Sequence, residues 1–281
     1  MKTEMSWLIS IVVVLGTAYL AIMVAMYVFQ RGFMYLPDRQ AYSPGDVGLS
    51  GIEEITISTA DGERLQGWYL PAKTGQPTIL FFHGNGGSIA GRAERLAFYQ
   101  AKGLGALFVS YRGYGKSTGT STETGLVNDG LASYDWLLQK NIAAESIVVI
   151  GESLGAAVSV RLTLQRHVRA LIIEAPFTSA VDVAKSVYWW LPVDLLMKDR
   201  FETIKIIDQV KVPLLVIHGE MDEITNVEYG KKLFEKANQP KTLKIIKGGT
   251  HNGIFVKSTW QMEVDFIKSL KGVPTAGKDP A

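Results

Sequence analysis

The sequence predicts an α/β fold, a mostly parallel sheet with helices on both faces, entered through an N-terminal transmembrane helix. Three observations carry that reading. An uncharged stretch runs from Met5 to Gln30. Beyond it, short β-rich runs alternate with helical patterns. Most of those runs are continuously apolar, as strands buried on both faces must be.

Composition narrows the function classes. Of 281 residues, 47% are hydrophobic and 20% charged, which provides for a packed core and excludes wholesale disorder. Lys plus Arg total 29 against 27 for Asp plus Glu. A net charge of +2 leaves no basic excess to cover a phosphate backbone, so nucleic acid is not an expected partner. There is no cysteine. That removes disulfide frameworks, thiolate zinc sites, dithiol redox chemistry and a Cys nucleophile.

The first element is the anchor. The 26 residues from Met5 to Gln30, at about 1.5 Å rise each, exceed the roughly 30 Å hydrocarbon thickness of a bilayer. Trp7, Tyr19 and Tyr27 place rings suited to the interfaces, and Arg31 ends the run. A cleaved signal peptide is the rival reading. It would have a shorter apolar region and a more basic front than Lys2 and Glu4 provide. The expectation is therefore a single-pass membrane protein, anchored over residues 1–31 with residues 6–29 in the bilayer. The charge bias across the span is too small to orient it.

Strands then follow at Ile52–Thr59, Leu65–Leu70, Thr78–Phe82, Ala106–Ser110, Ile147–Ile150, Ala170–Glu174, Leu214–Ile217 and Leu243–Ile246. The first two alternate polar with apolar residues and flank Asp61-Gly62, the pattern of an antiparallel hairpin. Helical patterns occupy Ile89–Lys102, Glu123–Lys140, Leu154–His167, Val227–Ala237 and Thr259–Leu270. The expected catalytic domain spans 32–271, and residues 272–281, rich in Gly, Pro and small residues, form a flexible tail. In such sheets ligands bind at the carboxyl ends of the strands, so site residues should fall just after strands.

Gly151-Glu152-Ser153-Leu154-Gly155 meets that condition. It joins a strand to a helix, and its glycines leave room for a tight turn that lifts the Ser153 hydroxyl above the sheet. A serine hydroxyl needs a base held by a third group. Of four histidines, His167 ends the helix that starts beside Ser153. His83 and His218 end strands in His-Gly pairs that shape turns. His251 lies in the loop Gly248–Gly253 after the last strand and is the candidate base. The acid should also follow a strand, and Asp222 in His218-Gly219-Glu220-Met221-Asp222-Glu223 is the candidate, with Glu220 and Glu223 as rivals. The oxyanion of a tetrahedral intermediate needs N–H donors. Leu154, after the nucleophile, provides one. The loop His83-Gly84-Asn85-Gly86-Gly87 provides the other, from Asn85 or else Gly84 or Gly86.

These segments, together with Tyr111-Arg112-Gly113-Tyr114-Gly115-Lys116-Ser117 and Gly249-Thr250-His251-Asn252, resemble the α/β-hydrolase superfamily over about Ile52 to Leu270. The likeness is greatest to its membrane-anchored hydrolase-domain proteins of the serine-aminopeptidase-like branch. The resemblance implies an eight-stranded α/β-hydrolase fold with the second strand antiparallel, and Ser153, Asp222 and His251 as a triad. It also implies lipid or acyl-ester substrates, although substrate transfers poorly between members. Insertions between the sixth and seventh strands form a cap in the resembled fold, here a short one over 176–211. Its apolar run includes Trp189 and Trp190, and Phe177 follows the sixth strand, so all three are candidate substrate-pocket residues.

Two decoys fail on their own terms. Gly115-Lys116-Ser117 ends like a phosphate loop, but Ser110 stands where that motif needs glycine and no helix follows. No HExxH metal motif occurs. The expected protein is thus an anchored serine hydrolase of acyl esters or thioesters, needing neither cofactor nor metal, with a lipid-like or acyl small molecule as its substrate. An aminopeptidase-like amidase and an inactive membrane-tethered scaffold are the alternatives.

Overall fold

A computed structural model describes residues 2–270. The tail expected at 272–281 lies outside the described residues. The chain opens with helix α1, Lys2–Met34, whose stretch Met5–Met34 includes 18 residues of mean hydropathy 2.5 and is long and apolar enough to cross a membrane. Eight strands form the main sheet, β1 Glu53–Ser58, β2 Arg64–Leu70, β3 Thr78–Phe82, β4 Gly105–Val109, β5 Ile147–Glu152, β6 Ala170–Glu174, β7 Leu214–Gly219 and β8 Lys241–Ile246, and Leu36–Pro37 pairs separately with Gly86–Gly87. All eight expected strands are present. The sheet runs β8-β7-β6-β5-β3-β4-β2-β1. Only β2 lies antiparallel, to both β1 and β4. The Asp61-Gly62 hairpin sets that register, pairing Ser58 with Arg64.

Period-two alternation in the central strands splits the core into two layers. Leu80, Phe82, Val149, Ile173 and Val216 face helices α3 (Glu123–Gln139), α4 (Leu154–Thr163) and α7 (Val227–Lys236). Ile79, Phe81, Val148, Ile172 and Leu215 face α2 (Ala93–Ala101) and α8 (Lys257–Ser269). Helix α4 ends at Thr163, four residues before the expected His167. Two short helices, α5 (Ala180–Val187) and α6 (Val193–Leu196), occupy the β6–β7 segment, where no helix was expected. Ser179 caps α5 by accepting a hydrogen bond from the Asp182 N–H.

The turn from β5 into α4 depends on two glycines. A Cβ on Gly155 would stand 2.1 Å from the Phe82 carbonyl oxygen, and one on Gly151 2.3 Å from the Gly155 oxygen. Strand, helix and neighbouring strand therefore meet backbone to backbone, and no larger residue fits at either place.

Candidate active site

That turn holds Ser153 at φ 52° and ψ −110°, a conformation L-residues rarely adopt. Its N–H donates to the Glu174 carbonyl at 2.8 Å, so the end of β6 pins the turn. Behind Glu174 its carboxylate meets Arg95 at 2.6 Å, and Arg95 also pairs with Glu263, all three fully buried.

Asp222 and His251 come from the loops after β7 and β8. Asp222 Oδ2 accepts from His251 Nδ1 at 2.8 Å. Its Oδ1 accepts the N–H groups of Ile224 and Thr225 at 2.9 and 2.7 Å. His218 Nε2 lies 3.3 Å from Oδ2 and donates to the Thr225 carbonyl at 2.6 Å. Burial by itself would raise the Asp222 pKa. The hydrogen bonds from His218, His251 and Thr225 outweigh it and hold the carboxyl well below the usual carboxylate range. The rival acids have other partners. Glu223 accepts the His251 backbone N–H at 3.2 Å, and Glu220 accepts the Gly248 N–H at 3.0 Å. Both shape the His251 loop and leave its ring to Asp222.

Thr225, unremarkable in the sequence, links the two halves of the site. Its hydroxyl is 3.0 Å from Asp222 Oδ2, 3.2 Å from His251 Nδ1 and 3.1 Å from the Ala175 carbonyl. Thr225 also lines a cavity of about 280 Å³ together with Ser153, Leu154 and Asn85. No hydrogen bond joins the Ser153 hydroxyl to the His251 ring among the described residues. Such contacts tighten when substrate binds.

Leu154 opens α4, whose first N–H groups have no partner within the helix. Asn85 is held from three sides. Its carbonyl accepts from Leu36 N–H at 3.0 Å and Tyr114 hydroxyl at 2.7 Å, and its side-chain amide donates to the Met34 carbonyl at 3.1 Å. The Tyr111–Ser117 loop thus supports the Asn85 loop from outside. Of the three candidate pocket residues, Phe177 lines the cavity. Trp189 and Trp190 do not: Trp189 is 81% exposed, and Trp190 turns to α1, where its carbonyl accepts the Tyr19 hydroxyl at 2.9 Å. The β6–β7 segment lines the cavity with Phe177, Tyr188 and aliphatic residues such as Val183, Leu191 and Val193, and leaves the two tryptophans outside it. Met26, Phe33 and Met34 of α1 also line the cavity, which the sequence reading did not foresee.

His83 is buried with its ring against Tyr111, and Nδ1 donates to the Gly84 carbonyl at 2.7 Å. Burial, aided by the charge of Arg92, pushes its pKa down to about 3. An unfolded imidazole titrates near 6.5, so unfolding takes up a proton at any pH between roughly 6.5 and the folded value. Stability from this group is complete above that window and is lost as pH falls through it, by at most about 1.4 kcal/mol per pH unit. Urea unfolding at pH 7 and pH 5 should show that loss in the wild type, and His83→Gln should make it shallower.

Comparison with known proteins agrees with this architecture. The alpha/beta hydrolase fold family matches residues 77–204, and the family of serine aminopeptidase, S33, matches residues 196–255. A Mycobacterium tuberculosis protein, uncharacterized protein Rv2307c, is 36% identical over 245 residues, covering 85% of this chain and 87% of its own. The alpha/beta hydrolase domain-containing protein WAV2 of Arabidopsis thaliana is 31% identical over 92% of this chain and 91% of its own. Among solved structures, an esterase from Pyrococcus furiosus superposes with a TM-score of 0.67 at 24% identity, over 85% of this chain and 98% of that one. The chain belongs to the alpha/beta hydrolase family.

Proposed function

We propose that this α/β hydrolase is a membrane-anchored serine hydrolase that cleaves lipid-derived acyl esters or thioesters. The observation that carries the reading is the 2.8 Å bond from His251 Nδ1 to Asp222, at the same sheet edge where the β5–α4 turn raises Ser153 beside an apolar cavity. Because the Nδ1–H donates its hydrogen bond to the carboxylate, the ring is held in the tautomer whose Nε2 is free to accept a proton. Ser153 Oγ attacks the acyl carbonyl as Nε2 takes its proton. The N–H groups of Leu154 and Asn85 hold the oxyanion. His251 returns the proton to the leaving alcohol or thiol. Water then repeats the sequence on the acyl-enzyme and releases the acid. The apolar length of α1 supports the anchor.

The match to serine aminopeptidase favours a second reading, hydrolysis of amino-acyl amides. Such a substrate brings an ammonium group that needs a free carboxylate in the pocket. Asp199 is the acid among the cavity residues, and it is already paired with Arg31 at 2.7 Å. The ester reading is therefore preferred. A fluorophosphonate probe should modify the full-length protein at Ser153, located by peptide mass. A folded protein that stays unlabelled would overturn the nucleophile assignment. Faster turnover of amino-acyl amides than of acyl esters would favour the second reading.

A further inference from the structure

We infer that the last turns of α1 are part of the substrate site, so that the helix that anchors the chain also measures the acyl chain to be cleaved. The inference rests on the serine-hydrolase reading and goes beyond it in giving the anchor a role in specificity.

The first argument is length. The apolar helix Met5–Met34 has 30 residues. At about 1.5 Å each it is roughly 45 Å long, some 15 Å more than the hydrocarbon core of a bilayer. That surplus is about ten residues. Ten residues back from Met34 begins the stretch that holds Met26, Gln30, Arg31, Phe33 and Met34, all lining the cavity that reaches Ser153.

The second argument is the chemistry of the walls. Met26, Phe33 and Met34 line the cavity together with Val183, Leu191 and Val193, and Met26 packs against the Leu191 and Val193 cluster. The polar groups between them are matched to each other. The Gln30 amide donates to the Leu196 carbonyl at 2.9 Å and accepts from the Lys198 N–H at 2.7 Å. The Arg31 guanidinium holds both oxygens of Asp199, at 2.7 and 3.2 Å. No unmatched charge remains there to receive a head group, so the space suits an aliphatic chain. Its volume of about 280 Å³ sits at the lower end of small-ligand pockets, room for one chain rather than two.

The third argument is the route. Val187, Trp189 and Leu195 are 60%, 81% and 84% exposed on the cap beside α1. The Tyr19 ring meets Trp190 with centroids 6.3 Å apart, and Tyr19 lies well inside the apolar stretch. This outer cap surface therefore meets the same apolar medium as α1. An exposed apolar patch beside a membrane helix marks a membrane-facing surface. The substrate class is an ester or thioester of a single long unbranched acyl chain, drawn sideways from the bilayer.

The test uses the full-length protein in phosphatidylcholine nanodiscs and p-nitrophenyl esters from butyrate to palmitate. Met26→Trp should move the optimum to shorter chains and lower the long-to-short ratio of kcat/KM by about tenfold or more. Met26→Ala should move the optimum to longer chains. Opposite shifts from one position cannot come from misfolding. Leu8→Trp, on the same helix but away from the cavity, should keep the wild-type ratio. An unmoved ratio in both Met26 variants, with Ser153 still labelled by fluorophosphonate, overturns this inference and leaves the nucleophile reading standing. So does a Leu8→Trp shift equal to that of Met26→Trp, which would assign the effect to membrane insertion. An unlabelled wild type removes the nucleophile reading and this inference with it.

Discussion

Ser153→Ala should lose about 10⁵–10⁶-fold in kcat for acyl-ester hydrolysis while keeping the fold. Alanine retains the Cβ at the strained backbone position and deletes only the hydroxyl. The bond from the residue-153 N–H to the Glu174 carbonyl is unaffected. A loss of that size corresponds to roughly 7–8 kcal/mol of transition-state stabilisation. It reflects removal of the covalent route itself, so what remains comes from the oxyanion donors and binding. The measurement is kcat on one ester for both proteins, with thermal unfolding to verify that Tm is retained. Activity within tenfold of wild type would mean that another group attacks the carbonyl.

Asp222→Asn should lower kcat by about 10⁴-fold, for a reason visible in the hydrogen bonds. The two oxygens of Asp222 have different duties. Oδ1 accepts two backbone N–H groups, so in the variant the amide oxygen must stay there. The amide nitrogen then takes the place of Oδ2 and points its protons at His251 Nδ1. The imidazole has to accept at Nδ1 and carry its proton on Nε2, where it can no longer deprotonate Ser153. Loss of kcat with intact fluorescence is the expected result, together with a lowered unfolding midpoint at pH 7, because the neutral amide gives up the charge-assisted bonds that the carboxylate makes. The same carboxylate gives an acid signature. Its pKa is depressed in the folded chain, so its stabilisation is present above the unfolded value near 3.9 and is lost as pH falls below that towards the folded value.

Much of this arrangement was legible in the residues because it is written locally. Continuous apolar runs marked the five buried strands β3–β7, and Asp61-Gly62 marked the hairpin; β8, expected to be buried as well, stands at the sheet edge and is only partly covered. Small residues on either side of Ser153 marked a turn that the backbone needs on steric grounds. Position after strands narrowed the acid to Asp222, Glu220 or Glu223 and put His251 forward as the base. Other features were not legible because they depend on distant packing. Thr225 lies three residues beyond Asp222 in a turn with no motif, and its link to Ala175 and His251 exists only after the loops meet. The apolar run of the cap marked Trp189 and Trp190 for the pocket, yet both stand exposed between the short helices α5 and α6. The apolar residues of α1 encircle the helix, so no face of the pattern announced that its end would form a wall.

Gln30 joins α1 to the cap through both ends of its amide, and Arg31 adds a two-pronged clasp on Asp199 next door. Mechanically this makes a welded corner where a hinge would otherwise sit. Asp199 also takes the N–H of Glu123 at the head of α3, so the weld continues into the globular body. Tilting the helix must therefore carry the adjoining wall of the cavity with it, so the orientation of the cavity is set by how the helix leans.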